Sequence, residues 1–429
     1  MAFQLKFYKI IHTAFLLLPI VASAQNTEQV YRDNIQTIQL FPYGNQQGLP
    51  VYTIEANNKL ELDFDDMEGG YKSYYYTYVL CDYNWQPINL SSFDFMKGFI
   101  QNRITTYRYS NLAFTKYTHY QALLPDQTSY PIKSGNYLLK VFLDGDTSKV
   151  VFTKKMLVLE QKAIVQASVV QPFTADYFYT HQRIKINVNI KDINSFSAAQ
   201  QIKVVVLQNN RWENAQKNIT PTFVRGNLLE YNTENVGLFP GGKEWRWLDI
   251  RSFRMTSDRI DSGLFNKNKQ EFYLKTDFNR DGEQYMYFPD YNGMYNICTY
   301  ESINPLWQAD YATIHFFFSD KLNQLNNKDL YLAGQFTNFE LNDQWKMKYN
   351  DNSKKYECSA YLKQGYYNYT YIAVDKKDPS IRMDLEGNNF DTENTYTVLV
   401  YYKSFTDRND RLIGVSTINS RRNRAGFGF

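Results

Sequence analysis

The sequence predicts an all-β chain of tandem immunoglobulin-like β-sandwich domains, and three observations carry that prediction. Aromatic residues make up 17% of the 429 residues, with 37 Tyr and 30 Phe against only 12 Pro. Such rings pack well across paired strands, and Tyr can bury its ring while its hydroxyl stays wet. Apolar residues recur at period two in many short runs. Turn formers separate those runs at strand-length spacing with no helical run between them, the pattern of a sandwich.

Taken in order, Ile35–Phe41 alternates cleanly and stops at Pro42-Tyr43-Gly44-Asn45, and Leu60–Asp66 alternates again before ending in carboxylates. The densest stretch is Tyr71–Leu143. Its first strand, Tyr71–Cys81, is broken by Asp82-Tyr83-Asn84-Trp85-Gln86-Pro87, which presents an indole, and Lys97-Gly98 marks a second bend. Tyr107–Ser110, Tyr117–Leu124 and Gly135–Leu143 complete that module. A second module begins near Gln161, with strands at Ile164–Val170, Ile184–Ile190 and Ile202–Leu207 and shorter ones near Leu228–Tyr231 and Glu271–Thr276. A third carries Asp329–Phe339 and Gly365–Asp375. A chain of this length exceeds one ordinary core. The expected division is residues 1–24, a signal peptide; 25–160, 161–325 and 326–404, three β domains; and 405–429, a basic and aromatic tail.

The leader is read from Lys6 and Lys9 ahead of the apolar run Ile10–Val21, with Ala22-Ser23-Ala24 as a small-residue cleavage pattern, so cleavage is expected after Ala24. No later run reaches about 18 uninterrupted apolar residues, and the mature chain is expected to be exported and soluble, without inserting into a membrane. The 47 basic and 44 acidic residues leave a formal charge of +3, with no long block of one sign before the last residues. That argues against nucleic acid or a polyanionic substrate as partner. Cys81, Cys298 and Cys358 lie far apart without ligand spacing, so they read as small buried hydrophobes, with at most one disulfide among them.

Candidate chemistry is sparse. Alternation sends Asp63 and Asp65 to the face opposite Leu60, Leu62 and Phe64, and together with Asp66 they read as a solvated strand end rather than a cation site. Asp277-Phe278-Asn279-Arg280-Asp281-Gly282 begins like a calcium loop, but its twelfth position is Phe288 where a bidentate carboxylate is needed, so a turn between strands is expected. His119 and His181 have no Ser, Cys or paired carboxylate beside them in sequence and read as structural hydrogen-bonding groups. There is no nucleophile elbow and no His-Glu metal helix. No catalytic, cofactor-binding or metal site is therefore expected. Trp85 and Trp212 read as strand-end core residues or, alternatively, as exposed anchors at a protein interface.

The order Leu62-Asp63-Phe64-Asp65-Asp66, Tyr78–Trp85, Lys97-Gly98-Phe99, Tyr117-Thr118-His119-Tyr120 and Ser134-Gly135-Asn136-Tyr137 resembles the amino-terminal domain of the type IX secretion system plug proteins of Bacteroidetes-type bacteria. Thr180–Ile184, Val205–Trp212 and Pro240–Arg246 are similar to that family's middle region. Each motif is short, and their shared order over most of the mature chain makes the resemblance specific. It implies a non-enzymatic periplasmic protein that binds the outer-membrane translocon barrel and closes its periplasmic opening when no cargo moves. No small-molecule ligand is expected.

The third module resembles an early-set sandwich of the glycogen-binding kind. There an aromatic after the Asn, here Phe339, and a Trp beyond the Val-Asp turn stack on sugar rings. Lys376-Lys377-Asp378-Pro379 follows Val374-Asp375 with no Trp, so the module is expected to keep the fold and lose the ligand. A carbohydrate-binding protein is the alternative function. The end of the chain, with Arg421, Arg422, Arg424, Phe427 and Phe429, is read as a frayed tail or as an arm that docks on the partner.

Overall fold

The computed structural model describes residues 28–423 apart from 57, 194, 322 and 384. The expected leader and Arg424, Phe427 and Phe429 lie outside the described residues. Three β-sandwiches account for nearly all the strands, and each has its own apolar core.

In the first, the strands Gln29–Val30, Val150–Leu159, Gly135–Leu143, Tyr74–Cys81 and Asn102–Arg103 form one sheet in that order, with Val51–Thr53 joined in parallel to Val150–Leu159. Ile35–Pro42, Leu60–Asp66, Thr118–Leu124 and Thr106–Tyr109 form the other. Period two selects the core as expected: Tyr74, Tyr76, Tyr78 and Leu80 face Leu60, Leu62 and Phe64 across the sandwich. Phe64 stacks on Tyr120 at 5.2 Å and meets Tyr74 edge-on at 5.0 Å.

The second sandwich pairs Ile164–Val170, His181–Asn189, Leu228–Tyr231 and Phe223–Arg225 in one sheet, with Leu238–Pro240 also on His181–Asn189. Its other sheet is Gln216–Ile219, Ile202–Gln208, Thr395–Tyr402 and Arg411–Asn419. The third packs Arg246–Asp249, Gly365–Asp375, Tyr295–Ile297 and Lys328–Ala333 against Ile260–Asn266, Lys269–Leu274, Tyr311–Ser319, Lys355–Lys363 and Lys348–Asn350.

The boundaries expected at 325/326 and 404/405 do not follow this pairing. Strands from Arg246–Asp249 to Tyr311–Ser319 belong with the third sandwich, which is inserted into the second. Thr395–Tyr402 pairs antiparallel with Ile202–Gln208, Ile202 opposite Tyr402, and Arg411–Asn419 closes the same sheet. Composition marks a segment as a strand; its partner is set by long-range packing that local pattern does not encode. Among the described residues no helix is long and apolar enough to cross a membrane.

Candidate functional site

The three sandwiches meet at one junction, and several of the motifs scattered along the sequence converge there, Tyr78–Trp85, Val205–Trp212 and Pro240–Arg246 among them. The double glycine shows how. Gly242 has φ +66°, and a Cβ on Gly241 would fall 2.1 Å from the carbonyl oxygen of Asn389. Outgoing chain at 240–245 and returning chain at 388–394 therefore run side by side. The Asn389 N–H and the Thr392 hydroxyl donate to Gly242 O at 2.9 and 2.7 Å, and Asn394 Nδ2 donates to Gly241 O at 2.8 Å. Gln182 ties in the same returning segment, donating from Nε2 to Phe390 O (2.6 Å) and Thr392 O (2.8 Å).

Between the first and second sandwiches the contact is aromatic and aliphatic. Cys81, Tyr83, Trp85, Leu157 and Leu159 pack on Val205, Leu207, Leu399, Tyr401 and Leu412. Trp85 sits at φ +68°, an unusual conformation for a bulky residue. The turn holds it there: Asp82 Oδ1 accepts the Asn84 and Gln86 N–H groups at 2.8 Å, and the Trp85 N–H reaches Asp82 O at 2.9 Å. Its ring meets Trp212 edge-to-face at 4.8 Å, with Lys155 Nζ 5.3 Å from one centroid and 5.6 Å from the other. Trp85 is only 3% exposed, so the alternative of an exposed anchor is corrected for it. Its partner surface is the chain's own second sandwich, because a fold of this kind has internal faces to cover before it has any to offer. Trp212 is half-buried beside it. Arg411 clasps Glu160 at 2.5 Å, and Asp410 accepts the Tyr83 N–H at 3.1 Å and Lys203 Nζ at 2.9 Å. Much of the expected tail thus seals this joint.

Between the first and third sandwiches a buried ionic network sits beside a small apolar cluster of Ala113, Tyr117 and Tyr311. Asp65 and Lys363 are each 1% exposed and pair at 2.5 Å. Asp65 Oδ2 also accepts the Tyr311 hydroxyl at 2.5 Å, Thr37 donates to Tyr311 at 2.6 Å, and His119 Nδ1 donates to Asp65 Oδ1 at 2.8 Å. His119 Nε2 lies 3.4 Å from Asp63. Burial works to raise the Asp65 carboxyl, but Lys363 and His119 outweigh it and hold it below the usual carboxylate range. Burial works to lower the His119 imidazole, and its bonds to Asp63 and Asp65 outweigh that and raise it. The expectation of a solvated strand end is overturned. Alternation places Asp63 and Asp65 off the core as predicted, but the third sandwich covers that outer face. Asp310 reinforces the seam by accepting the N–H groups of Phe114 (2.6 Å) and Thr115 (3.1 Å). Nothing in the local sequence marks Lys363 or Asp310; only Asp65, an acidic residue inside a strand, carried a signal.

The third sandwich's own charges are internal. Asp277 accepts Arg246 Nη1 at 2.7 Å, Arg259, and the hydroxyls of Tyr369 and Tyr371 at 2.8 Å, which commits its carboxylate to partners other than a cation. Among the described residues no group of three or more His, Cys, Asp or Glu side chains is placed to hold a metal ion. Phe339 stands edge-on to Trp245 at 6.0 Å, and the Arg211 guanidinium lies 5.0 Å from its centroid. The ring in the sugar-stacking position is engaged by the second sandwich. Asp290 accepts Trp245 N–H and Asn292 N–H, and burial, with Glu244 and Glu393 nearby, pushes its carboxyl up to about 7.

The described end of the chain places Arg421 and Arg422 on the surface, the Arg421 guanidinium 3.7 Å from the Tyr287 ring centroid. Sequence reading missed a short two-stranded ribbon on the first sandwich. Met96–Gly98 pairs there with Ser129–Pro131, and Phe93, Phe99 and Ile132 are exposed around it.

Residues 35–160 match the family model described as type 9 secretion system plug protein, first domain. Its span coincides with the first sandwich. A crystal structure of a hypothetical protein from Parabacteroides merdae is similar at 30% identity, covering 91% of this chain and 98% of that chain with a TM-score of 0.86. No curated protein matches the sequence.

Proposed function

Since the chain belongs to the type IX secretion system plug family, and so to the machinery of that system, we propose that it is a periplasmic, non-enzymatic stopper. It binds the outer-membrane translocon barrel and closes its periplasmic opening while cargo is absent. The leader at residues 1–24 delivers it to that compartment, with cleavage after Ala24. The observation that carries the reading is the junction. A stopper must hold its shape against a pore, and here the third sandwich is tied to the second by two parallel crossings and to the first by a buried ion pair. Release on arrival of cargo favours contacts that are broad, aromatic and polar rather than a large apolar seal. Exposed Phe93 and Phe99 and the arginines Arg421 and Arg422 offer that chemistry.

The test is capture of the tagged mature chain from outer-membrane extract of its own organism, followed by conductance of the purified barrel with and without the protein. A barrel that co-purifies and whose conductance falls on adding the protein supports the reading. A barrel that neither binds nor closes overturns it.

A further inference from the structure

At the junction lies a cleft of about 410 Å³, to which all three sandwiches contribute walls. That volume falls within the range of ligand pockets, ~300–1,000 Å³. Its apolar surface comes from Leu49, Pro50, Met294 and Phe339, together with the paired indoles of Trp85 and Trp212.

Charge is distributed unevenly around it. Lys154 is matched by Glu28 at 3.1 Å and Arg211 by Glu213 at 2.5 Å. Lys155 and Lys217 are not matched: among the described residues neither ammonium has a carboxylate within ion-pair distance. Lys155 Nζ rests over the two indoles, and Lys217 Nζ lies 5.9 Å from the Tyr83 ring. Burial lowers the pKa of both, outweighing the more distant carboxylates of Glu28 and Glu213 at Lys155 and of Asp82 at Lys217. Half-buried ammonium groups with no carboxylate in ion-pair reach are costly to keep, and a cleft that holds two beside an apolar wall is complementary to an anion with an apolar body. The indole N–H of Trp85 is a further buried donor with no acceptor in the fold.

The geometry points to a binding site in this cleft for a carboxylate carried on an apolar body, held by Lys155 and Lys217 and packed against Phe339, Met294 and the indole pair. Two sources share that chemistry, a free organic acid and the terminal carboxylate of a peptide ending in an apolar residue. The site is separate from barrel binding and stands or falls without it.

Calorimetric titration of the full mature chain tests it with N-acetyl-phenylalanine, its neutral amide, inorganic phosphate, and the tripeptide Gly-Gly-Phe with a free or amidated terminus. The expected result is that the acids bind at least tenfold more tightly than their amides and more tightly than phosphate. Tripeptide acid binding above N-acetyl-phenylalanine identifies a peptide as the natural source, and the reverse order identifies a small acid. Lys155→Met and Lys217→Met, checked for unchanged melting, should each weaken acid binding about tenfold, while the exposed Lys354→Met leaves it unchanged. Equal binding of acid and amide, no binding of any of these compounds, or full binding in a folded Lys155→Met/Lys217→Met double variant would overturn the assignment.

Discussion

Against the second sandwich the first presents Tyr83, Trp85, Leu157 and Leu159; against the third it presents Asp65 and His119. The residues named on both interfaces are buried, and the two interfaces hold in different ways. The apolar one gains from every angle at which its surfaces meet, since hydrophobic burial has no direction. The ionic one gains at a single geometry, because Lys363, Tyr311 and His119 must all reach one carboxylate. The first interface supplies adhesion and the second sets the orientation of the body it orients.

The strongest way to break that division is Lys363→Met. It leaves Asp65 buried without its counter-charge, and loss of one partner in such a pair costs about 3–5 kcal/mol. Urea unfolding should register that loss, and adding Asp65→Asn should recover more than half of it. If the double variant is as unstable as the single, the interface depends on shape rather than charge.

Trp85→Ala attacks the apolar side. Truncating a buried Trp costs about 3 kcal/mol or more, and Ala keeps the Cβ that disfavours φ +68°, so no backbone strain is relieved. Hydrogen exchange should rise in Ile202–Gln208 and Thr395–Tyr402, and stay unchanged in Lys355–Lys363.

A pH series sharpens the comparison further. Asp290 has a folded pKa near 7, above its ordinary value. Its neutral form is therefore favoured by folding, and its contribution is complete below about pH 4 and lost as pH rises through 7. His119 is raised as well, so its contribution is complete below its ordinary range and lost above it. Both act in one direction, opposed by His181 and His315, whose imidazoles burial lowers; with Asp290 the largest shift, melting temperature should fall by a few degrees between pH 5.5 and pH 8. A rise over that window would contradict the burial of Asp290 and the carboxylate bonds of His119. The smallest effect belongs to the exposed pair Lys149–Asp144, 3.0 Å apart and half in water. Lys149→Ala should change stability by less than about 0.5 kcal/mol.

How much of this was legible follows from the range of each interaction. Strands such as Tyr74–Cys81, Gly135–Leu143 and Ile202–Gln208 were visible because alternation and composition are local. The pairing of Ile202–Gln208 with Thr395–Tyr402 was not, because nothing within a strand names its partner. The faces of Asp63 and Asp65 were read correctly and their surroundings were not, since a face turned from one core can be turned toward another sandwich. Trp85 and Trp212 were each singled out in separate motifs; that they touch is a property of the folded chain alone. Lys363 gave no signal at all, lying at the end of an ordinary strand.

The inserted arrangement also bears on the order of assembly. A chain that folds from its amino terminus can complete the first sandwich early, because its strands are near neighbours in sequence. The second cannot: Ile202–Gln208 waits for Thr395–Tyr402 while the whole of the third is made. Loop closure over that span is slow until the inserted unit collapses and brings its ends together. Thr395–Tyr402 then acts as a latch, and a nascent molecule lacking it would expose the aliphatic edge of Ile202–Gln208, a mark by which quality control distinguishes an unfinished copy.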